Sequence, residues 1–548
     1  MPYHQVTGEI ASLEAFINAA LREDKLTDPS CLDGRLVFTD HDGAKVVLGL
    51  VRHSSDLRLR FDGSVTRDLN GAVSTMTPTA LLQHLSAPGG KVFQNRVMNS
   101  INATIAAPLR RGTPENWTFI AAEQALKAGH PMHPTPRSRD EMTHEAAQRY
   151  APEHEGRFAL EWYAVDRDNM QLGGEDAQTR FAMLAKADLD QSHDGCLIPL
   201  HPWQATQLAA DPRIATMIDN GTIRHLGAGR PAWAATSSMR SLYASHAPFM
   251  VKTSLSLRLT NSVRHLSLRE VRRGLHISSL LLSPLGTKMR QECPTLNILG
   301  EPGYAAIIDE GGILCPETIA VLRDNPFDGT SRGPVLLAAL CEAAGNDVSP
   351  LGELVQRLGH NAGPRWFARF LDVAVYPVLE VRARHGLLFG SHQQNMMVGL
   401  NDGWPANVWV RDCQGTGHLE SFHDHLTAFC PDVGEGTENI VPAEMGDGLL
   451  TYYVVVNTVM HTLATLVLDG AASEPELIDI WRNALRRWQR ETPGDATLYT
   501  RLLERPGLTC KGNFSTSISG VNEADGDAGG QLATFLEIPN PVLERQPA

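Results

Sequence analysis

The stretch from Leu449 to Leu468 contains no Asp, Glu, Lys or Arg and reads LLTYYVVVNTVMHTLATLVL. A segment that apolar has two possible homes, a lipid bilayer or the middle of a large protein core. Asn457 and His461 interrupt it and no basic cluster flanks it, so it is expected to be a buried core helix. Such a helix needs other elements around it. A chain of 548 residues can supply them, with material for about two to four domain-sized units.

What surrounds it is a mixture of short strands and amphipathic helices without internal repeats. Ser12–Leu21 reads as a helix, and Arg35–Thr39, Lys45–Val51 and Asp56–Phe61 as strands separated by turn residues. Ser473 with Glu476 has the pattern of a capping box. Leu477, Trp481, Ala484, Leu485 and Trp488 then keep helical spacing up to Pro493-Gly494. There is no regular βαβ alternation, so the expected class is α+β. Boundaries are expected near the polar segment Pro134–Glu141 and the Gly/Pro-containing segment Asn346–Pro364. They divide the chain into residues 1–150, 151–360 and 361–548.

The formal net charge of −14 argues against nucleic acid or an anionic membrane surface as partner. An anionic ligand would need a local pocket built from particular residues. The start, Met1-Pro2-Tyr3-His4-Gln5, lacks a basic n-region followed by an apolar one, so no signal peptide and a cytoplasmic location are expected. Eight scattered cysteines with no C-x-x-C pair suit a reducing compartment and argue against a zinc ribbon, an iron–sulfur site or a disulfide scaffold.

No G-x-x-x-x-G-K-[ST], strand–G-x-G-x-x-G–helix or G-x-S-x-G is present, so any nucleotide is held without a standard phosphate loop. Four polar clusters remain as candidates. In Gly129-His130-Pro131-Met132-His133-Pro134-Thr135-Pro136-Arg137, each histidine precedes a proline, which excludes a helix interior. The segment is a rigid loop presenting two imidazoles and a guanidinium, or a surface turn.

Thr236-Ser237-Ser238-Met239-Arg240-Ser241 is a small-hydroxyl loop with one cation, suited to gripping phosphate. After it, Val251, Leu255, Leu257 and Leu259 alternate with Lys252, Ser254, Ser256 and Arg258, the pattern of a strand with one apolar and one cationic face. Asn261 has the look of an N-cap, which would put Arg264 in a first helical turn. A cation there opposes the helix dipole unless an anion lies nearby. Lys252, Arg240 and Arg264 are therefore expected to converge on an anion.

Gln394–Leu400 and Asn407–Val410 read as strands joined by the turn Asn401-Asp402-Gly403, a hairpin that brings His392, Gln394 and Asn395 beside Asp412. Asp412 is of the type that holds Mg²⁺ in nucleotide sites. Thr509-Cys510-Lys511-Gly512-Asn513-Phe514 places one lysine in a turn and means little alone. His418, His423, Asp424 and His425 resemble metal ligands but fit no zinc spacing and read as a polar loop.

Taken in order, Gly129-His130-Pro131-x-His133-Pro134, Ile198-Pro199-Leu200-His201-Pro202-Trp203-Gln204, Thr236-Ser237-Ser238-Met239-Arg240 with Lys252 and Arg264, His392-x-Gln394-Asn395 and Arg411-Asp412-x-x-Gly415 resemble the IucA/IucC family of NRPS-independent siderophore synthetases. The likeness spans about residues 120–515. Each motif is weak alone and the ordered set is specific.

The resemblance implies a cupped hand of thumb, fingers and palm with mixed and antiparallel sheets, usually a homodimer, with ATP held between fingers and palm. It implies that Ser238, Arg240, Ser241, Lys252 and Arg264 grip phosphates, and that His392, Gln394, Asn395 and Asp412 complete the ATP and Mg²⁺ site. His130, His133, Arg137 and Lys511 would face the carboxylate substrate. Catalysis would rest on Arg264, Lys252, His133 and His392, with His133 or His392 as general base. The reaction implied is adenylation of a carboxylate, citrate before a citryl monoamide or 2-oxoglutarate, followed by capture with an amine, hydroxylamine or alcohol.

Two departures from the family pattern stand out: Gly390 where a glutamate is common, and Arg137 where a lysine is common. Another ATP-dependent amide ligase is the alternative enzyme. The C-terminal third also resembles ferric reductases, which suggests a non-enzymatic or reductive ferric-siderophore handler. That reading expects a cysteine cluster near the C-terminus, where only Cys510 stands.

Overall fold

The structure is a computed structural model and describes residues 3–54, 58–110, 112–522 and 534–543. It is an α+β fold of antiparallel and mixed sheets. The first sheet is a five-stranded meander, Thr27–Leu32, Arg35–Thr39, Lys45–Ser54, Arg58–Leu69 and Ala72–Thr75, paired in sequence order. Strand Arg35–Thr39 and the first half of Lys45–Ser54 alternate more and less buried residues, so Leu36, Phe38, Val46 and Leu48 face inward. The helices Tyr3–Arg22, Pro78–Ser86 and Gly90–Ala106 cover that face. The strand expected from Asp56 begins, among the described residues, at Arg58. Phe514, from far along the chain, packs edge-on against Phe16 at 4.9 Å and ties this core to the C-terminal region.

The second sheet has six antiparallel strands in the order Ala234–Ala235, Ser241–Tyr243, Phe249–Thr253, Ala320–Asp324, Gly303–Ile307 and Met170–Gly173. The third is a mixed four-stranded sheet in which Leu296–Ile298 runs parallel to Trp404–Val410, which pairs with Met396–Asn401 and through it with Val335–Leu336. The largest core packs this sheet against helices from the middle and C-terminal parts of the chain, with members from Trp117 to Val542. At its centre runs one continuous helix, Ala443–Leu468, with 89% of its most apolar window buried inside the molecule. The apolar stretch is thus enclosed by protein, and residues 451–460 within it adopt π-helical winding.

The helix expected after Ser473 is present as Glu474–Glu491, and Leu477, Trp481, Ala484, Leu485 and Trp488 are its buried face. The capping box is not formed. Ser473 sits at the N-cap but its side chain makes no capping bond.

Candidate active site

Three segments far apart in sequence meet at one pocket, a cavity of about 150 Å³ at the junction of the six-stranded and four-stranded sheets. The strand Phe249–Thr253 places Lys252 opposite Ser241 on one neighbour and Val321 on the other. Arg323 lies two residues beyond Val321, on the same face, because side chains on a strand repeat every second residue. The preceding loop turns sharply at Met239, whose φ is 66°, and brings Ser238 and Arg240 to the rim beside Ser241. The Ser241 amide donates to Ser238 Oγ at 3.3 Å, and Arg240 donates to the Arg264 carbonyl at 3.4 Å.

Arg264 reaches the pocket by a different route from the one its sequence suggests. Leu255–Leu259 and Ser262–Arg264 form a β-hairpin, with Leu255 opposite Arg264. Thr260 takes a φ of 58°, so Asn261 is part of a turn and not an N-cap. The helix begins at Leu268, capped by a true capping box between Ser267 and Glu270. Arg264 therefore ends a strand, and its guanidinium is braced on Leu259 O at 2.9 Å and Thr260 Oγ1 at 2.8 Å. No helix-dipole conflict exists, but the pocket position does.

The hairpin Met396–Asn401/Trp404–Val410 forms as the sequence suggests, and the Arg411 amide donates to the Asn395 carbonyl at 3.2 Å. This brings His392, Gln394, Asn395 and Asp412 to one wall of the pocket. Asp412 has left-handed backbone, φ 73°, which aims its carboxylate at the Lys252 ammonium. Gln414 Oε1 accepts from the same ammonium at 2.6 Å, and Glu301 Oε1 lies 3.7 Å away. Burial presses the Lys252 pKa down. Against burial, Lys252, Arg323 and Arg240 hold the Asp412 carboxyl far below the usual carboxylate range, so it is a carboxylate. Arg411, paired with buried Glu123, also donates to Ser237 Oγ at 3.0 Å and the Gln394 carbonyl, locking the two loops together.

The histidines show a shared pattern. The Nδ1 atoms of His130, His133 and His392 each accept a backbone N–H two residues on, from Met132 at 3.2 Å, Thr135 at 3.1 Å and Gln394 at 3.2 Å. Burial and neighbouring cations keep His130 well below its ordinary pKa and bring His392 down to about 4. A neutral imidazole whose Nδ1 is an acceptor carries its proton on Nε2. His130 and His392 therefore offer N–H donors to the pocket, not bases. Their rings lie 5.7 Å apart.

His130 lines the pocket, whereas His133 is buried behind it, only 3% exposed, with Nε2 3.4 Å from Ser517 Oγ. Arg137 reaches the pocket wall, but its guanidinium is turned inward. Nε donates to Lys127 O at 3.0 Å, Nη1 to Glu153 at 3.1 Å and Nη2 to the Leu126 carbonyl. Lys511 ends the strand Gly507–Lys511, and its charge depresses both His130 and His392. Arg139, Arg323, Glu301, Glu123 and Gln414 line or brace the site and escaped the sequence reading. The only signal for Arg323 was a cation near the end of an otherwise apolar strand, Ala-Val-Leu-Arg-Asp.

Asp412 is the carboxylate that could meet a metal ion at the pocket. One oxygen holds Lys252 while the side chain stays 30% exposed, so the group fits a cation that arrives with phosphates. A Cβ at Gly390 would have nothing nearer than the Gly415 carbonyl at 3.8 Å, so the missing glutamate leaves space and no substitute ligand. Of the polar loop, His418 contacts His423 at 3.1 Å while His425 contacts His385 at 3.2 Å, two separate pairs. Cys413, Cys430 and Cys510 are each buried, and burial pushes their thiols up.

Residues 118–342 match the IucA/IucC family model, and residues 364–527 match the model described as ferric iron reductase FhuF-like transporter. The chain is 31% identical to the rhizobactin siderophore biosynthesis protein RhbC of Rhizobium meliloti (strain 1021), over 93% of this chain and 88% of that one. It is also 31% identical to the N(2)-citryl-N(6)-acetyl-N(6)-hydroxylysine synthase of Escherichia coli, over 74% of this chain and 73% of that one. The fold superposes on ATP-bound aerobactin synthetase IucA from Klebsiella pneumoniae with a TM-score of 0.86 at 26% identity, covering 97% of this chain and 99% of that chain.

Proposed function

The chain belongs to the IucA/IucC family, and on that premise we propose that it is an ATP-dependent ligase that adenylates citrate and condenses it with an amine, releasing AMP and pyrophosphate. The observation that carries this reading is the convergence of Arg240, Lys252, Arg264 and Arg323 with the N–H donors of His130 and His392 on one pocket. Relatives named as a citryl-hydroxylysine synthase and a spermidine-citrate ligase, and an ATP-bound structural neighbour, support the choice of substrates.

A carboxylate is a poor acyl donor because oxide is a poor leaving group. When a citrate oxygen attacks the α-phosphorus of ATP, pyrophosphate departs and the acyl carbon gains a phosphate leaving group. Negative charge builds on phosphoryl oxygens in that step, and fixed cations stabilise it without reorganising. Lys252, Arg240, Arg264 and Arg323 have the positions for this, with Ser238 and Ser241 as hydroxyl donors and Gln394 and Asn395 along the adjoining wall. Asp412 would hold a Mg²⁺ that arrives with ATP, and that ion would supply charge neutralisation.

The Nε2–H groups of His130 and His392 suit the citrate carboxylate, and then the oxyanion formed when the amine attacks. This replaces the expectation of a histidine base. Arg137 is braced within the protein, and Lys511 supplies long-range positive potential. A cytoplasmic homodimer is the expected form, and light scattering checks it.

The test is citrate-dependent pyrophosphate release with ATP and hydroxylamine as surrogate nucleophile. Release that depends on citrate is expected. None with citrate, citryl monoamides or 2-oxoglutarate sinks the reading.

A further inference from the structure

The His130 loop separates the cation-lined pocket from a second cavity of about 330 Å³. Gly129, His130 and Pro136 line both. The loop is closed on itself, since a Cβ at Gly129 would stand 2.7 Å from the Pro136 carbonyl oxygen, and Gly129 has a φ of 97° that favours glycine. The second cavity lies between the helix Tyr3–Arg22, which presents Ala11 and Ala15 one turn apart, and the long apolar helix, which presents Val456, Met460 and Ala464. Leu59, Leu126 and Met132 complete an apolar middle. Its volume is that of a small-molecule site.

The two cavities differ in sign. In the pocket already described, Asp412 is the one carboxylate among the lining residues, against Arg240, Lys252, Arg264 and Arg323, with Arg137, Arg139 and Arg411 in its wall paired to Glu153 and Glu123 behind it. In the second cavity the carboxylates Glu14, Asp24, Glu342 and Glu537 outnumber the guanidinium groups Arg22 and Arg58, with Glu14 and Glu342 held in place by the amides of Phe61, Gly345, Lys127 and Ala128. One side of the loop suits polyanions. The other suits a molecule with an aliphatic body that is cationic in water.

We propose that the second cavity admits the amine co-substrate, an aliphatic amine, and that the His130 loop is the partition past which its nitrogen meets the activated carboxyl group. This rests on the ligase reading above. The acidic lining attracts the ammonium form. The apolar middle disfavours its charge, which leaves the neutral, nucleophilic amine near the loop. The nitrogen lone pair forms the C–N bond and the acyl C–O bond to phosphate breaks, its electron pair leaving with AMP. The nitrogen proton goes to the departing phosphate, because His130 Nε2 already carries a hydrogen.

The test uses the full-length protein and two single variants, Ala15→Trp and Ala11→Trp, each filling the cavity from a half-buried position on the helix. Two rates are compared in each, both with citrate and ATP. One is capture by hydroxylamine, which is small enough not to need the cavity. The other is capture by whichever of 1,3-diaminopropane, 1,5-diaminopentane and lysine the wild type condenses fastest. Hydroxylamine capture within about twofold of wild type, with diamine or lysine kcat/KM reduced about tenfold or more in at least one variant, supports the assignment. Equal retention of both nucleophiles in both variants overturns it. So does equal loss of both in both variants, which would make the cavity part of the adenylation machinery or of the folded core. A wild type that turns over hydroxylamine but condenses none of the three amines also overturns it. Failure of pyrophosphate release in the wild type with citrate, citryl monoamides and 2-oxoglutarate alike removes the ligase reading itself, and this inference with it.

Discussion

Two clusters of buried charge contribute side chains to the pocket wall, and they are built on opposite plans. Around Glu153, fully buried, Arg137 and Arg139 close on the carboxylate, and the remaining Arg137 nitrogens go to the carbonyls of Leu126 and Lys127. Around Asp412, Lys252 and Arg323 meet Asp412 and Glu301, while Arg240 and Arg264 line the same pocket. The first cluster is satisfied from within. The second lines an open pocket, and on the proposed function a bound anion completes it. An arginine in a motif therefore says little until the destination of its nitrogens is known.

The sharpest way to break the comparison is Glu153→Gln. It strands two buried guanidinium groups and should cost about 3–5 kcal/mol of stability in denaturant titrations. The ATP KM of the folded enzyme should hold. A variant as stable as wild type would make the two clusters alike. The same residue predicts acid behaviour. Although burial opposes it, Arg137 and Arg139 hold Glu153 down to about 2, against 4.5 for an unperturbed glutamate. A depressed carboxyl stabilises the fold above its unfolded pKa, and that contribution, on the order of 3 kcal/mol, drains away as pH falls from 4.5 towards 2. Glu153→Gln should lack this part of the acid limb.

Arg264→Ala should show the reverse profile. Citrate-dependent pyrophosphate release should fall about 100-fold, near 3 kcal/mol in barrier, while the denaturation midpoint stays close to wild type. Full activity would remove Arg264 from the phosphate grip and leave the family membership untouched.

Arg137→Lys separates the clusters more finely. Losing the inward fork should cost about 1–2 kcal/mol of stability with the citrate KM little changed. A KM increase of about tenfold without loss of stability would move Arg137 to the substrate side.

The smallest effect is expected for His392→Gln, whose amide N–H can stand near the position of Nε2. A loss of about tenfold or less in kcat/KM is expected, near 1 kcal/mol. With His392 near 4, its protonation should leave kcat/KM flat through pH 6.5 and change it only towards pH 4. A limb at 6.5 assigned to His392 would restore the base role.

The hairpin ending at Asp412 was legible because Asn401-Asp402-Gly403 is a strong turn signal between alternating strands. Arg264 was legible as a pocket residue but not as a strand residue. Asn261 fits a helix cap and a hairpin turn equally well, and Thr260's left-handed backbone decided between them. Meanwhile the Ser267/Glu270 capping box lay unread a few residues on. Ser473 shows the converse, a capping pattern without the capping bond. Arg323 could not be found, since one cation near the end of an apolar strand carries no periodic signal.

From sequence alone came the α+β class, the burial of Leu449–Leu468, and the family through an ordered set of motifs. Each is written in local pattern or residue order, which survives without coordinates. Tertiary structure alone decided which charges pair with which. Glu153 turns Arg137 inward, Asp412 meets Lys252 across 160 positions, and backbone amides fix the protons of His130 and His392 on Nε2. Coulomb attraction and hydrogen bonding depend on distance and direction in space, and the order of residues along a chain specifies neither.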